Sequence, residues 1–249
     1  MVDSLGFRLK LGIIAPSTNT VVQPEMDAMR PYGVTNHFAR LHIPNDPIDD
    51  DAGFNRLMDN IRATMEDAAR VVMTCQPDRL VLGMSSETFW DGLDGSNRLM
   101  ARMREVAGGA PVTSGADAVR AALGTYGEIR RIAVITPYMP PGDAQVRRFF
   151  TECGFDIVAL KGLKGRSPVL YAHVSEKQLR DAINEVNDGS VEAIVQVGTN
   201  LAMARLAGIA EFWLDKPVIA INTAIYWHAL RTSGVMDRVQ DFGSLLLEH

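Results

Sequence analysis

The sequence has little cysteine and no long apolar run, and both shortages narrow the class of protein. Only two of the 249 residues are cysteine, Cys75 and Cys153, which is too few for a disulfide framework or a four-cysteine zinc site. No apolar run approaches the roughly 20 residues of a membrane-spanning helix. The first residues also contain no apolar core of signal-peptide length. We therefore predict a cytoplasmic protein that contacts no membrane.

Clusters of basic residues are also missing. The chain carries 25 lysines and arginines against 30 aspartates and glutamates, a formal net charge of -5, and no block or stripe is basic. We therefore predict that the protein does not bind nucleic acid. Histidine, cysteine and acidic residues nowhere show metal-ligand spacing, and no glycine-rich dinucleotide fingerprint follows the first apolar run. We accordingly predict no metal and no nicotinamide cofactor.

Short aliphatic runs alternate with stretches of helical periodicity along the chain. Residues 10–15, 80–82, 131–135 and 193–197 are runs rich in aliphatic and β-branched side chains, which predict strands. Residues 55–72 carry apolar side chains at the spacing of one helix face. Strands that alternate with helices are typical of parallel sheets covered by helices.

The two halves of the chain repeat one plan. In each half a strand ends in a proline-containing turn, at residues 16–17 and 136–137, and a later strand ends in a small polar loop, at residues 83–86 and 198–201. We predict an α/β fold of two pseudo-symmetric lobes, each a parallel four-stranded sheet flanked by helices. Ligands of parallel sheets bind beyond the carboxyl ends of the strands, so we expect the active site in the cleft between the lobes.

Five stretches, in one order along the chain, match a known family. They are residues 15–20, 113–116, 132–138, 198–201 and 217–222. Together they resemble the maleate cis-trans isomerases and arylmalonate decarboxylases of the aspartate/glutamate racemase superfamily. The resemblance implies a last helix that packs back on the first lobe. The N-terminal lobe would then comprise residues 1–115 with 223–249, and the C-terminal lobe residues 116–222.

The same resemblance implies an activity. Its members are cofactor-free enzymes that act on a small carboxylate or dicarboxylate, as isomerases, racemases or decarboxylases, through an enolate-like state. It also implies a homodimer or a homotetramer. We therefore expect a small carboxylate substrate and no cofactor.

The resemblance further implies catalytic cysteines, one from each lobe, of which the decarboxylases keep only the second. The matching positions in this sequence are Met84 and Gly198. A thioether carries no acidic proton and glycine has no side chain, so we expect the two-thiol mechanism to be lost. Cys75 precedes its strand and Cys153 lies at a helix end, and we expect both to be structural because free cysteine commonly packs as a small apolar residue.

Polar side chains at the strand ends are our candidates for binding the substrate carboxylate. Hydroxyl, amide and guanidinium groups donate hydrogen bonds to carboxylate oxygens, although most of these residue types also cap helices. By the resemblance, the amide of Asn19 holds a carboxylate and the phenol of Tyr138 binds a carboxylate or enolate oxygen. The predicted substrate-binding residues are Asn19, Ser17, Ser85, Ser86, Thr199, Asn200 and Arg166.

Glu87 and Tyr138 are the predicted catalytic residues. The Glu87 carboxyl follows the polar loop of the first lobe and would replace the missing thiols as acid or base if burial raised its pKa. Two alternatives are open. One is a hydrolase or lyase that reuses the carboxylate pocket, with Glu87 or His228 as the acid or base. The other is a non-catalytic protein that only binds a carboxylate, which an exposed Glu87 would favour.

Overall fold

Strands and helices alternate throughout the computed structural model, which describes residues 3–249. The first half contains β1 (Leu9–Pro16), α1 (Val22–Ala28), β2 (Val34–Leu41), α2 (Asp51–Met73), β3 (Arg79–Leu82), α3 (Gly92–Val106) and β4 (Val112–Thr113). The second half contains α4 (Gly115–Thr125), β5 (Arg131–Thr136), α5 (Pro140–Glu152), β6 (Asp156–Gly162), α6 (Glu176–Val186), β7 (Ala193–Gln196), α7 (Ala204–Leu214), β8 (Val218–Ala220), α8 (Ile221–Arg231) and α9 (Ser244–Glu248). Two short 3-10 helices, Ser86–Phe89 and Val169–His173, follow β3 and β6.

The strands form two parallel sheets of four strands each. The first has the order β2-β1-β3-β4 and the second the order β6-β5-β7-β8, so the second half repeats the topology of the first. The prediction of two four-stranded parallel sheets flanked by helices is therefore confirmed. We call the first sheet with its helices the first lobe and the second sheet with its helices the second lobe.

The central strands are buried on both faces because helices cover both sides of each sheet. Leu11, Ile13 and Ile14 of β1 have no exposed surface, although their side chains alternate between the two faces. Helix α2 covers one face with an apolar stripe, and its first turn is capped by Asp50, whose carboxylate accepts from the Gly53 N–H at 2.7 Å. This packing fixes the carboxyl ends of β1 and β3 at one edge.

Helix α8 follows the last strand of the second sheet but packs on the first lobe. Its Tyr226 is fully buried and donates a hydrogen bond of 3.1 Å to Asn36 Oδ1 on β2. At Gly115 the first turn of α4 approaches α8 so closely that a Cβ would lie 2.9 Å from Ile221 Cδ1. These contacts are those expected of a returning helix, while the lobe boundaries at residues 115 and 222 stay a prediction. No helix within residues 3–249 is long and apolar enough to cross a membrane.

Candidate functional site

One small pocket lies where the strand ends of the two sheets meet. The first lobe contributes residues that follow β1 and β3, and the second lobe contributes residues that follow β5, β6 and β7. Its cavity volume is about 50 Å³, well above the roughly 10–15 Å³ that a cavity needs to hold one water molecule. Ile43, Leu57, Ile61 and Met84 are apolar side chains of the lining, which we call the apolar wall, and its hydrogen-bonding side chains form what we call the polar wall. A pocket of this size and character suits a small organic anion with an apolar part.

The polar wall is a hydrogen-bonded chain that crosses from one lobe to the other. Ser85 Oγ lies 2.6 Å from the Tyr138 hydroxyl, and it accepts the main-chain N–H of Thr199 at 3.2 Å. The Thr199 hydroxyl donates to the carbonyl of Gly83 at 3.3 Å. Burial raises the pKa of Tyr138, so this phenol keeps its proton at neutral pH. The structure therefore brings together Ser85, Tyr138 and Thr199, three of the predicted residues.

Asn19 serves as a cap and as part of the pocket wall at once. Its Oδ1 accepts the N–H groups of Val21 and Val22, both at 2.9 Å, which satisfies the start of α1. Its Nδ2 donates to Thr199 Oγ1 at 3.1 Å across the cleft. An amide nitrogen carries two hydrogens, so one N–H of Asn19 is not used in these bonds and can donate to a ligand.

Asn200 lines the pocket but its amide already has partners. Its Oδ1 accepts the N–H of Thr20 at 3.0 Å, and its Nδ2 donates to the carbonyl of Pro168 at 2.9 Å. The side chain therefore links the first lobe to the segment that follows β6. Ser86 lines the pocket beside Ser85.

Ser17 does not line the pocket. Its hydroxyl donates to the carbonyl of Ile43 at 3.2 Å and accepts the N–H of the same residue at 3.1 Å. The residue is exposed, and this pair of bonds fastens the chain after β2 to the end of β1. The geometry therefore gives Ser17 a structural role, and its binding role stays a prediction.

Glu87 also lies outside the pocket, in a separate surface depression beside Trp90. Its carboxylate accepts from Nε of Arg62, with both oxygens at 3.0 Å. Burial raises the pKa of Glu87, and the Arg62 guanidinium acts in the opposite direction. Because a 3-10 helix starts at Ser86 and turns the chain by a third of a turn per residue, residue 87 faces away from the pocket that Ser86 lines. The Glu87 carboxylate is therefore poorly placed for chemistry in the pocket.

Arg166 and His228 lie outside the pocket as well. The Arg166 side chain is exposed. Its main-chain carbonyl accepts a hydrogen bond from the N–H of Ile48 at 2.7 Å. His228 lies on α8, with Nδ1 3.3 Å from the Thr113 hydroxyl, and it lines another surface depression. Burial lowers the pKa of His228, and the positive charge of Arg79 lowers it further.

Tyr171 lines the pocket and was not among the predicted residues. It lies on the 3-10 helix Val169–His173, and its ring centre is 6.3 Å from that of Tyr138. Its hydroxyl is buried and has no hydrogen-bond partner among residues 3–249. No sequence pattern places it here, because the irregular segment after β6 folds over the cleft only through tertiary contacts.

The two positions at which the sequence resemblance predicts the family cysteines both line the pocket. Met84 is 1% exposed and lines the apolar wall. Gly198 also lines the pocket. Its φ is +111, a backbone conformation that residues other than glycine rarely adopt. Neither cysteine of the chain lines this pocket, since Cys75 is exposed and Cys153 ends α5.

Glu25 stabilises the loop around Thr199 without lining the pocket. Its carboxylate accepts from the Asn222 amide at 2.6 Å and from the N–H of Ala204 at 2.9 Å, and the same Asn222 amide donates to the carbonyl of Thr199 at 3.0 Å. Burial raises the pKa of Glu25 to about 7, against these hydrogen bonds, which lower it. The carboxylate thus connects α1, the start of α7 and the loop at Thr199.

The pocket lining contains no aspartate, glutamate, histidine, cysteine, lysine or arginine. Its polar groups are hydroxyls, amides and main-chain groups, all neutral at neutral pH. Within residues 3–249 no three side chains of the metal-binding types lie close enough to hold a metal ion. The expectation of cofactor-free chemistry stays a prediction.

Comparisons with known proteins agree on the fold. A mutant maleate cis-trans isomerase of Nocardia farcinica, solved with a covalently bound succinylcysteine intermediate, aligns with a TM-score of 0.86 at 22% identity over 97% of this chain and 99% of its own. A liganded arylmalonate decarboxylase mutant aligns with a TM-score of 0.77 at 22% identity over 95% and 98%. The maleate isomerase of Pseudomonas putida is 24% identical over 248 residues, which is 95% of this chain and 96% of that protein. The family model for arylmalonate decarboxylase matches residues 11–246. The chain therefore belongs to the arylmalonate decarboxylase family, as its sequence resemblance predicted.

Proposed function

We propose that the protein is a cofactor-independent enzyme that acts on a small carboxylate or dicarboxylate through an enolate-like state. The observation that carries this proposal is the neutral polar wall of the pocket, which both lobes build from Asn19, Ser85, Tyr138 and Thr199. The named relatives support it, because maleate isomerases and arylmalonate decarboxylases act on small dicarboxylates.

The polar wall has hydrogen-bond donors to spare. Ser85 and Tyr138 hold two hydroxyl protons and share one bond, so one proton is available to a ligand. One N–H of Asn19 is also unspent. Fixed donors of this kind stabilise negative charge that develops on oxygen, which is what the conversion of a carboxylate into an enediolate produces. Substrate binding and charge stabilisation would thus use the same groups.

Among the reactions of the family, the pocket favours decarboxylation. Racemisation needs a base to remove a proton from carbon, and no lining group is a base at neutral pH. The covalent route that the succinylcysteine of the Nocardia enzyme represents needs a thiol, which this pocket does not contain. Loss of carbon dioxide needs neither, since it leaves the electron pair on carbon directly. The apolar wall at Leu57 and Ile61 would promote it by desolvating the departing carboxylate.

The hydrolase or lyase alternative loses its proposed acid or base in this geometry. Glu87 is paired with Arg62 outside the pocket, and His228 lines a different depression. A pure binding role uses the same donors as the enzyme and differs from it only in turnover. We also propose a homodimer or homotetramer on the strength of the family resemblance, which light scattering after size-exclusion chromatography would test.

Turnover of defined substrates tests the proposed function. Malonate, methylmalonate, phenylmalonate and maleate would be incubated with the enzyme while carbon dioxide and fumarate are measured. We expect carbon dioxide from at least one malonate and no fumarate from maleate. Tyr138→Phe and Ser85→Ala should each lower kcat by about 10²- to 10³-fold, as loss of one donor to a developing oxyanion does.

Glu87→Gln is the matched control, since this residue lies outside the pocket, and we expect its kcat to stay within about twofold of the wild type. Binding of the malonates without turnover would establish the non-catalytic alternative. Fumarate from maleate would overturn the preference for decarboxylation.

A further inference from the structure

Tyr171 is a pocket residue whose buried hydroxyl is left without a partner when the hydrogen bonds of the site are assigned. Only 6% of the residue is exposed, yet its hydroxyl has no partner among residues 3–249. An unpaired buried hydroxyl lowers stability, so such a group needs an explanation, and a role in binding or catalysis is one. Two other hydroxyls of the pocket are engaged, since Tyr138 is bonded to Ser85 and Thr199 to the carbonyl of Gly83.

The segment that carries Tyr171 is firmly held over the cleft. The N–H of Gly165 donates to the carbonyl of Pro137 at 2.9 Å, and the carbonyl of Pro168 accepts the Asn200 amide at 2.9 Å. The N–H of Val169 donates to Asn45 Oδ1 of the first lobe at 3.0 Å. The unpaired hydroxyl is therefore not a consequence of a loose loop.

Close packing also fixes the ring of Tyr171. The ring lies against the backbone of Gly165, where a Cβ would be only 2.5 Å from Tyr171 Cε1. The edge-to-face contact with Tyr138 holds its other side, with ring planes at 68°. A side chain fixed in this way holds a donor ready before the ligand arrives, which is how preorganised active sites are built.

We propose that Tyr171 is a catalytic residue, and that its hydroxyl donates the proton that completes the reaction on the substrate carbon. The assignment rests on the decarboxylase function proposed above. Burial raises the pKa of Tyr171, so the phenol keeps its proton until the substrate carbanion forms. The other phenol of the pocket, Tyr138, shares a hydrogen bond with Ser85, so Tyr171 is the phenol whose proton has no partner and would take the place of the expected thiol.

The step balances without any co-reactant other than water. Cleavage of the bond between the α-carbon and one carboxylate releases carbon dioxide and leaves the bonding electron pair as an enediolate. That pair then forms a C–H bond with the Tyr171 proton while the O–H bond of the phenol breaks. When the product leaves, the phenolate of Tyr171 regains a proton from solvent, and the enzyme returns to its starting state.

Tyr171→Phe tests the proposal because it removes the hydroxyl and keeps the ring. With phenylmalonate in deuterium oxide, the wild type should form monodeuterated phenylacetate of one configuration, because the proton arrives from one side. We expect Tyr171→Phe to lower kcat by about 10²- to 10⁴-fold, the range for loss of a general acid, with KM changed less than about threefold. The residual product should be a mixture of both configurations. Tyr32→Phe, at an exposed residue far from the cleft, is the control and should match the wild type.

Thermal unfolding of the ligand-free protein gives a second reading that does not depend on turnover. Because the Tyr171 hydroxyl has no partner, Tyr171→Phe should raise Tm or leave it unchanged. A lower Tm would show that the hydroxyl is bonded in the free protein and would overturn the proposal. So would a kcat within about threefold of the wild type with one configuration retained. If the wild type itself releases no carbon dioxide from any malonate, the proposed function fails and this role fails with it.

Discussion

Replacement of Gly198 by alanine tests how the polar loop of the second lobe is built. The residue follows β7 and has φ +111, and a Cβ there would lie 2.6 Å from Pro137 Cγ. Both atoms of that contact belong to rigid parts of the molecule, because the proline ring cannot rotate away. Alanine must therefore either strain the backbone or displace the turn that begins with Thr136 and Pro137.

The expected loss of stability has two parts. Holding a residue other than glycine at a disfavoured positive φ costs about 1–3 kcal/mol. Forcing a methyl group into a filled space costs about another 1–3 kcal/mol. We therefore expect Gly198→Ala to lower the free energy of unfolding by about 2–6 kcal/mol, a large part of the roughly 5–15 kcal/mol that holds a typical domain folded.

Urea unfolding would measure this loss as a lower midpoint at an unchanged slope. Gly234→Ala is the matched control, since Gly234 also has a positive φ, +80, but nothing lies within 4 Å of its added Cβ. It should show only the backbone part, about 1 kcal/mol. The reasoning would be refuted if Gly198→Ala destabilised the protein no more than Gly234→Ala does.

The same contact predicts the effect of a cysteine at position 198, where the sequence resemblance predicts the second family cysteine. A cysteine there would begin with the same Cβ, so this backbone does not accept it without a shift at Pro137. We therefore expect Gly198→Cys to lose stability rather than to gain isomerase activity. Glycine at 198 is a requirement of the loop geometry in this chain.

Three further predictions concern the support of the site. Burial raises the pKa of Glu25 from 4.5 to about 7, so between these pH values the folded protein holds a proton that the unfolded chain has released. The free energy of unfolding should therefore fall by up to about 3 kcal/mol as pH rises through this range. Urea unfolding at several pH values should show this decrease in the wild type and not in Glu25→Gln. Asn200→Ala should lower the free energy of unfolding by about 1–3 kcal/mol, because it leaves the Thr20 N–H and the Pro168 carbonyl without their partner; thermal unfolding would measure it, and an unchanged Tm would contradict the link between the lobes. Ser17→Ala should lower stability by about 1 kcal/mol and leave KM unchanged, since its hydroxyl bonds only to Ile43; a raised KM would restore the binding role predicted from the sequence.

The sequence alone determined the fold and predicted a pocket where the strand ends of the two sheets meet. Strand and helix periodicities are local, so they predict two parallel sheets without knowledge of how the chain closes. The internal repeat predicts two like lobes, and parallel strands with like connections must end at the same edge. Asn19, Ser85 and Thr199 were found in this way, because each follows directly after a strand end. Residues at strand ends are positioned by the sheet itself.

Only the tertiary structure decided which nearby groups enter the pocket. Glu87 is two residues beyond Ser85, and the 3-10 turn aims its carboxylate at Arg62 on α2. Tyr171 lies in an irregular segment whose course over the cleft depends on bonds to Asn45, Pro137 and Asn200, all distant in sequence. Side-chain direction after a strand end is set by turn geometry and by such long-range contacts, and neither is encoded in periodicity or spacing. The sequence therefore predicted where the pocket lies, and the packing of the two lobes selected the groups that face into it.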